Sequence, residues 1–125
     1  MSVSVDLPPS PRAPAERRRY AEEIIASLIA RSPVCVIVFG SWAHGQADEY
    51  SDLDVVVVEE TNKRFPQRLD DWDFVPQMAS DVLVYTPEEF ASMLGRHNAF
   101  LQDVLREGVT VYARPERVAT LAEAG

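Results

Sequence analysis

The chain is 125 residues long, 46% hydrophobic and 26% charged, with a formal net charge of −8. That length fits one domain with a real core and is small for an enzyme carrying its own substrate domain, while the acidic balance excludes a general nucleic-acid binder, whose affinity comes from Lys and Arg meeting phosphates. No apolar run nears the roughly 18–20 residues that span a bilayer, no signal-peptide pattern opens the chain, and the single cysteine, Cys35, sits in an apolar run; the expectation is a reduced, cytoplasmic protein away from membranes.

Residues 1–13 contain Pro8, Pro9 and Pro11 with few apolar groups, so a flexible arm is expected before a domain over 14–114 and a tail over 115–125. A helix is predicted from Pro14 to about Ala30, because Tyr20, Ile24, Ile25, Leu28 and Ile29 recur at helical spacing and Pro33 stops the run. Arg17, Arg18 and Arg19 in its first turn read as a solvated face, with a phosphate site as the alternative. Val34–Phe39 is a continuous β-branched run, predicted as a strand buried on both faces and ended by Gly40. Asp52–Val58 is the second strand. Residues 60–78 show no clear period, broken by Pro66 and Pro76 and acidic at Asp70, Asp71 and Asp73. Asp81–Tyr85 is a third, short strand. Thr86-Pro87-Glu88-Glu89 then spells a helix start, with Thr as N-cap, Pro at N1 and Glu at N3 closing a capping box. Phe90, Met93 and Leu94 give this helix its apolar side.

A further helix is predicted over Asn98–Arg106 with Phe100, Leu101, Val104 and Leu105 inward, ended by Gly108 as a left-handed cap. Val109–Tyr112 is the fourth strand, and a weak terminal helix follows. The order α-β-β-β-α-α-β predicts a small mixed α/β (α+β) sheet flanked by helices.

The chemistry concentrates in residues 40–54. Gly40 lets the backbone approach an anion at positive φ, Ser41 supplies a hydroxyl, and Gly45 permits a second close approach. Asp52 and Asp54 differ by two positions, so on a strand both point to one face, roughly 6.6 Å apart at Cα. Two like charges on one face are costly unless a cation lies between them. A phosphate-sized anion turn beside two carboxylates is a layout for a nucleoside triphosphate and divalent metal. Trp42 can pack against the first helix or stack on a base.

Gly40-Ser41-Trp42-Ala43-His44-Gly45 followed by Ser51-Asp52-Leu53-Asp54-Val55 resembles the minimal nucleotidyltransferases of the DNA polymerase β superfamily, whose motif reads Gly-Ser-x-Ala-Arg-Gly, a spacer, then Ser-Asp-x-Asp. The resemblance extends to residues 81–89 and 105–109, covering the chain from about Pro14 to Tyr112. It implies a sheet core with helices behind it, use of ATP with two Mg²⁺ ions, and transfer of a nucleoside monophosphate, AMP from ATP, to a hydroxyl acceptor. Gly40, Ser41, His44 and Gly45 would contact the triphosphate, and Asp52 and Asp54 would hold both metals. Asp81 would be the third carboxylate, metal ligand and base, with Asp73 in its place if the strand register differs.

One position departs from the motif. His44 stands where the family carries Arg, replacing a fixed positive fork by a group that is only partly charged near neutrality. His97 has no motif around it and reads as a surface or capping residue. Relatives of this size resemble the antitoxin halves of two-component systems, so the expected acceptor is a hydroxyl on a helical protein partner. The alternative to an enzyme is an antitoxin-like binding module with little or no catalysis. A homodimer would cover sheet edges that so short a chain leaves open.

Overall fold

The computed structural model describes residues 6–72 and 75–115. In chain order these form α1 (Ala15–Ile29), β1 (Cys35–Phe39), β2 (Leu53–Val58), β3 (Ser80–Tyr85), α2 (Pro87–Gly95), α3 (Ala99–Glu107) and β4 (Val109–Ala113), with 3-10 turns at Gly40–Trp42 and Phe65–Gln67. The strands make one mixed sheet ordered β3-β2-β1-β4. β1 is antiparallel to β2 and β4, and β2 is parallel to β3.

The predicted elements from the first helix to the fourth strand are therefore present in their order, and the physical reason is burial on both sheet faces. Val36, Val38, Leu53, Val55 and Val57 meet Ile24, Ile25 and Leu28 of α1 in one cluster. Ile37 and Val56, pointing the other way, meet Leu101 and Val104 of α3 in a second. Strands covered twice need continuous apolar runs, which is how β1 and β2 read. Pro14 gives α1 no side-chain cap. Its three large, fully buried side chains, Ile24, Ile25 and Leu28, each contributing about 1.5–3 kcal/mol, hold it on the sheet instead.

The termini of α2 follow the sequence closely. Thr86 Oγ1 accepts from Glu89 N, and the Glu89 carboxylate accepts from Thr86 N, closing the capping box. His97 takes the left-handed conformation (φ 57°) at the far end, where its N–H donates to Leu94 O and the next N–H, of Asn98, to Met93 O. This is a Schellman closure with His in the usual glycine position, so the capping reading of His97 holds. Asn98 also caps α3 by accepting from Leu101 N.

Three expectations change. Gly108 is extended (φ −77°, ψ 166°), not left-handed. It is small for space instead: a Cβ there would strike Val104 O and lie 2.9 Å from Ile37 Cγ2. Phe100 and Leu105 are only partly covered, at 38% and 48% exposed, since Leu101 and Val104 already cover the sheet beneath α3; Phe100 still meets the Phe39 ring edge-on at 5.4 Å. The described part of the supposed arm is held down: Leu7 is buried in the α1-side cluster, and Arg18 donates to the carbonyls of Leu7 and Pro8.

The unread segment turns out to be the crossover that a parallel β2–β3 pair requires. Among the described residues it holds no α-helix. Leu69, Trp72, Val75 and Met78 pack on the α1 side, and Trp72 Nε1 donates to Ser27 Oγ at 2.8 Å. Asp73 and the predicted terminal helix lie outside the described residues.

Candidate active site

β1 and β2 pair so that Phe39 faces Asp54. The next residue, Gly40, must turn the chain directly over the Asp54 carboxylate. It does so at φ 75°, and a Cβ there would sit 2.5 Å from Asp54 Oδ2. Only glycine combines that conformation with that approach. Ser41 follows, half-buried, and its carbonyl accepts from His44 N and Gln46 N to tighten the turn. Trp42 plunges into the α1-side core with no exposed surface, which settles its role as packing and removes base stacking.

Parallel pairing of β2 with β3 puts Asp81 directly across from Asp54. Asp52 and Asp81 are exposed, whereas Asp54 is half-buried between them. Burial, then the charges of Asp81 and Asp52, hold the Asp54 carboxyl above the usual carboxylate range. The strand register thus gathers the three predicted carboxylates at one end of the sheet, beside the Gly40 turn.

Among the described residues, no three His, Cys, Asp or Glu side chains already converge closely enough to hold a metal. The donor chemistry nonetheless fits a hard divalent cation. Mg²⁺ binds through one or two carboxylates plus waters and substrate phosphates more often than in an all-protein cage. Mutual repulsion at Asp54 is the electrostatic condition such an ion relieves.

The glycine and histidine of the motif sit differently from the first pair. Gly45 (φ 70°) approaches Pro9, whose carbonyl oxygen would be 2.7 Å from a Cβ at position 45. Its close approach serves the N-terminal segment. His44 is exposed, with Nε2 3.8 Å from Glu107 Oε2. Together with Gly40, Phe39 and Phe100 it lines a cavity of about 210 Å³.

Two of the three arginines of α1 are not a solvated face. Arg18 anchors Leu7 and Pro8. Arg17 Nη2 donates to Ser51 O at 2.6 Å and stands 4.0 Å from Asp52 Oδ1. The loop it grips is locked by its own bonds: Asp48 N donates to Ser51 Oγ, while Ser51 Oγ and Tyr50 N donate to Asp48 Oδ1. The sequence signalled the arginine cluster but not its target, 34 residues away.

The family described as polymerase beta, nucleotidyltransferase, matches residues 22–117. Among solved structures, a Sulfolobus solfataricus protein provisionally described as a nucleotidyltransferase superposes with a TM-score of 0.51 at 20% identity, over 78% of this chain and 80% of that one. At that identity the likeness is one of fold. Among curated proteins, none matches the chain significantly.

Proposed function

Because the chain belongs to the polymerase beta nucleotidyltransferase family, we propose that it transfers a nucleoside monophosphate, AMP from ATP, to a hydroxyl on a helical protein partner. The observation that carries this reading is the Gly40 turn lying bare over Asp54, with Asp81 in register beside it. A phosphate received on that turn would lie beside the carboxylates. Two Mg²⁺ ions held by Asp52, Asp54 and Asp81 would neutralise the triphosphate and stabilise the charge of the departing pyrophosphate.

The protein's own groups do the positioning. The Gly40-Ser41 backbone admits the phosphates without a side chain in the way, and Ser41 Oγ donates to them. Asp81, exposed at the start of β3, accepts the acceptor's proton. The acceptor oxygen bonds to the α-phosphorus as the bond to the bridging oxygen breaks, and pyrophosphate leaves. His44 beside Glu107 gives less to the phosphates than a fixed guanidinium would.

That same pairing favours the second reading, a partner-binding module with little turnover. A second copy of the chain on the β3 or β4 edge is compatible with both readings. Among the described residues no helix is long and apolar enough to cross a membrane.

The deciding experiment supplies Mg²⁺ and α-labelled ATP with co-purified or genomically adjacent small helical proteins. Label on the partner, lost with Asp52→Asn while binding persists, is the expected result. A partner that binds but is never labelled sinks the enzyme reading and leaves the module.

A further inference from the structure

We propose that Arg17 of α1 is a positioning residue for Asp52, fixing the entrance of β2 so that this carboxylate stands ready beside Asp54 before metal and nucleotide arrive. The inference rests on the metal reading of Asp52 and Asp54 and adds a residue outside the motif.

The geometry has three parts. Asp52 is the last residue before β2, and its neighbour Ser51 offers a carbonyl with no place in the β-ladder. Arg17 Nη2 takes that carbonyl at 2.6 Å, so the guanidinium fixes the backbone immediately before the ligand. The same nitrogen lies 4.0 Å from Asp52 Oδ1, too far for a hydrogen bond and close enough to bias the carboxylate's direction. Behind it, two hydrogen bonds tie Asp48 to Ser51, so the clamp on the Ser51 carbonyl also bears on the turn over residues 48–51.

The energetics argue against a purely stabilising role. Arg17 is mostly sheltered, with 22% of its side chain exposed, and among the described residues its Nε is buried without a partner. A buried unsatisfied donor costs stability that an aliphatic side chain would not. Such local costs collect where function demands a group. The N-terminal segment reinforces the clamp, since Ser10 Oγ accepts from Ala47 N at the other end of the loop. Groups that orient metal ligands typically govern metal affinity by about 10–100-fold.

Positioning and charge make opposite predictions, which gives the test its power. Removing a cation that merely competes for Asp52 tightens metal binding. Removing a clamp that orients Asp52 weakens it.

Mn²⁺ affinity of the 125-residue chain, alone and with a non-hydrolysable ATP analogue, is read by electron paramagnetic resonance for wild type, Arg17→Met and Arg17→Lys. Arg17→Met is expected to bind Mn²⁺ about tenfold more weakly at a melting temperature equal to or above wild type. Arg17→Lys, which keeps the charge and one donor, is expected to lose no more than about threefold. Backbone hydrogen exchange over residues 48–52 should quicken in the Met variant. Should Arg17→Met not fold, Arg17→Gln takes its place with an expected loss of about fivefold.

Unchanged or tighter Mn²⁺ binding in the neutral variant overturns the proposal alone. A wild type that binds no Mn²⁺ overturns the metal reading and this proposal with it.

Discussion

The two ends of β2 handle charge in opposite ways. Just past its C-terminal end, Glu59 is buried and meets Arg31 through two hydrogen bonds of 2.9 and 3.0 Å. Around it Arg31 also reaches Asp71, Lys63 pairs with Asp71, and Arg114 pairs with Glu60. At the N-terminal end, Asp52, Asp54 and Asp81 are gathered with like sign, and Arg17 stands off at 4.0 Å. Six residues of one strand thus connect an end where every buried charge is answered to one where repulsion is tolerated. The paired end can be explained by the folded chain alone. The like-charged end holds a repulsion that the folded chain leaves in place and that a bound cation, as proposed, would relieve.

The largest effect should come from Asp54→Asn. Transfer is expected to fall by about 10²-fold or more, with metal-dependent ATP binding lost in titration calorimetry. In the absence of metal the same variant should unfold at slightly higher denaturant, by on the order of 0.5 kcal/mol, because a repelling pair across the strands is gone. With Mg²⁺ and ATP present the order should reverse, since only the wild type gains binding free energy. Equal stability in both conditions would mean that the two ends of β2 do not differ as described.

At the other end Arg31→Met should destabilise by about 3 kcal/mol, because it leaves the buried Glu59 without its two hydrogen bonds from Arg31. Urea unfolding measures this, and ATP binding at the far end should be unaffected. A loss well under 1 kcal/mol would place Glu59 in water and remove the contrast.

Much of the like-charged end was legible in the chain, and little of the paired end was. The Gly40 turn and the Asp52/Asp54 spacing are local, and strand periodicity alone puts both acids on one face. The capping box at Thr86 is local too. Arg31–Glu59 and Arg17–Ser51 join residues 28 and 34 positions apart, and no period encodes such pairs. Residues 60–78 were opaque because their crossover uses a 3-10 turn and isolated anchors such as Trp72 and Met78, with no repeating face. Gly108 misled for a related reason. Its glycine answers crowding by Val104 O of its own helix and by Ile37 and Val38 of β1, and not a left-handed turn.

Acid should separate the two ends with the smallest effect. Glu89 belongs with the paired end: it accepts from Arg68, which is buried and also donates to Val84 O and Lys63 O. The hydrogen bonds from Arg68 hold the Glu89 carboxyl down to about 2, below an ordinary 4.5. A depressed folded-state value means stability fully present above about pH 4.5 and lost as pH falls toward 2. Because 42% of the Glu89 side chain is exposed, solvent screening limits the loss to about 1 kcal/mol or less. Asp54 works in the opposite sense, since its raised value means that protonation as pH falls relieves the cost of a buried charge and its repulsion by Asp81 and Asp52. Metal-free unfolding compared between pH 6 and pH 3 in wild type, Glu89→Gln and Asp54→Asn therefore resolves the signs. Glu89→Gln should fall less on acidification than wild type and Asp54→Asn should fall more, whereas identical slopes would show that neither end couples its protons to folding.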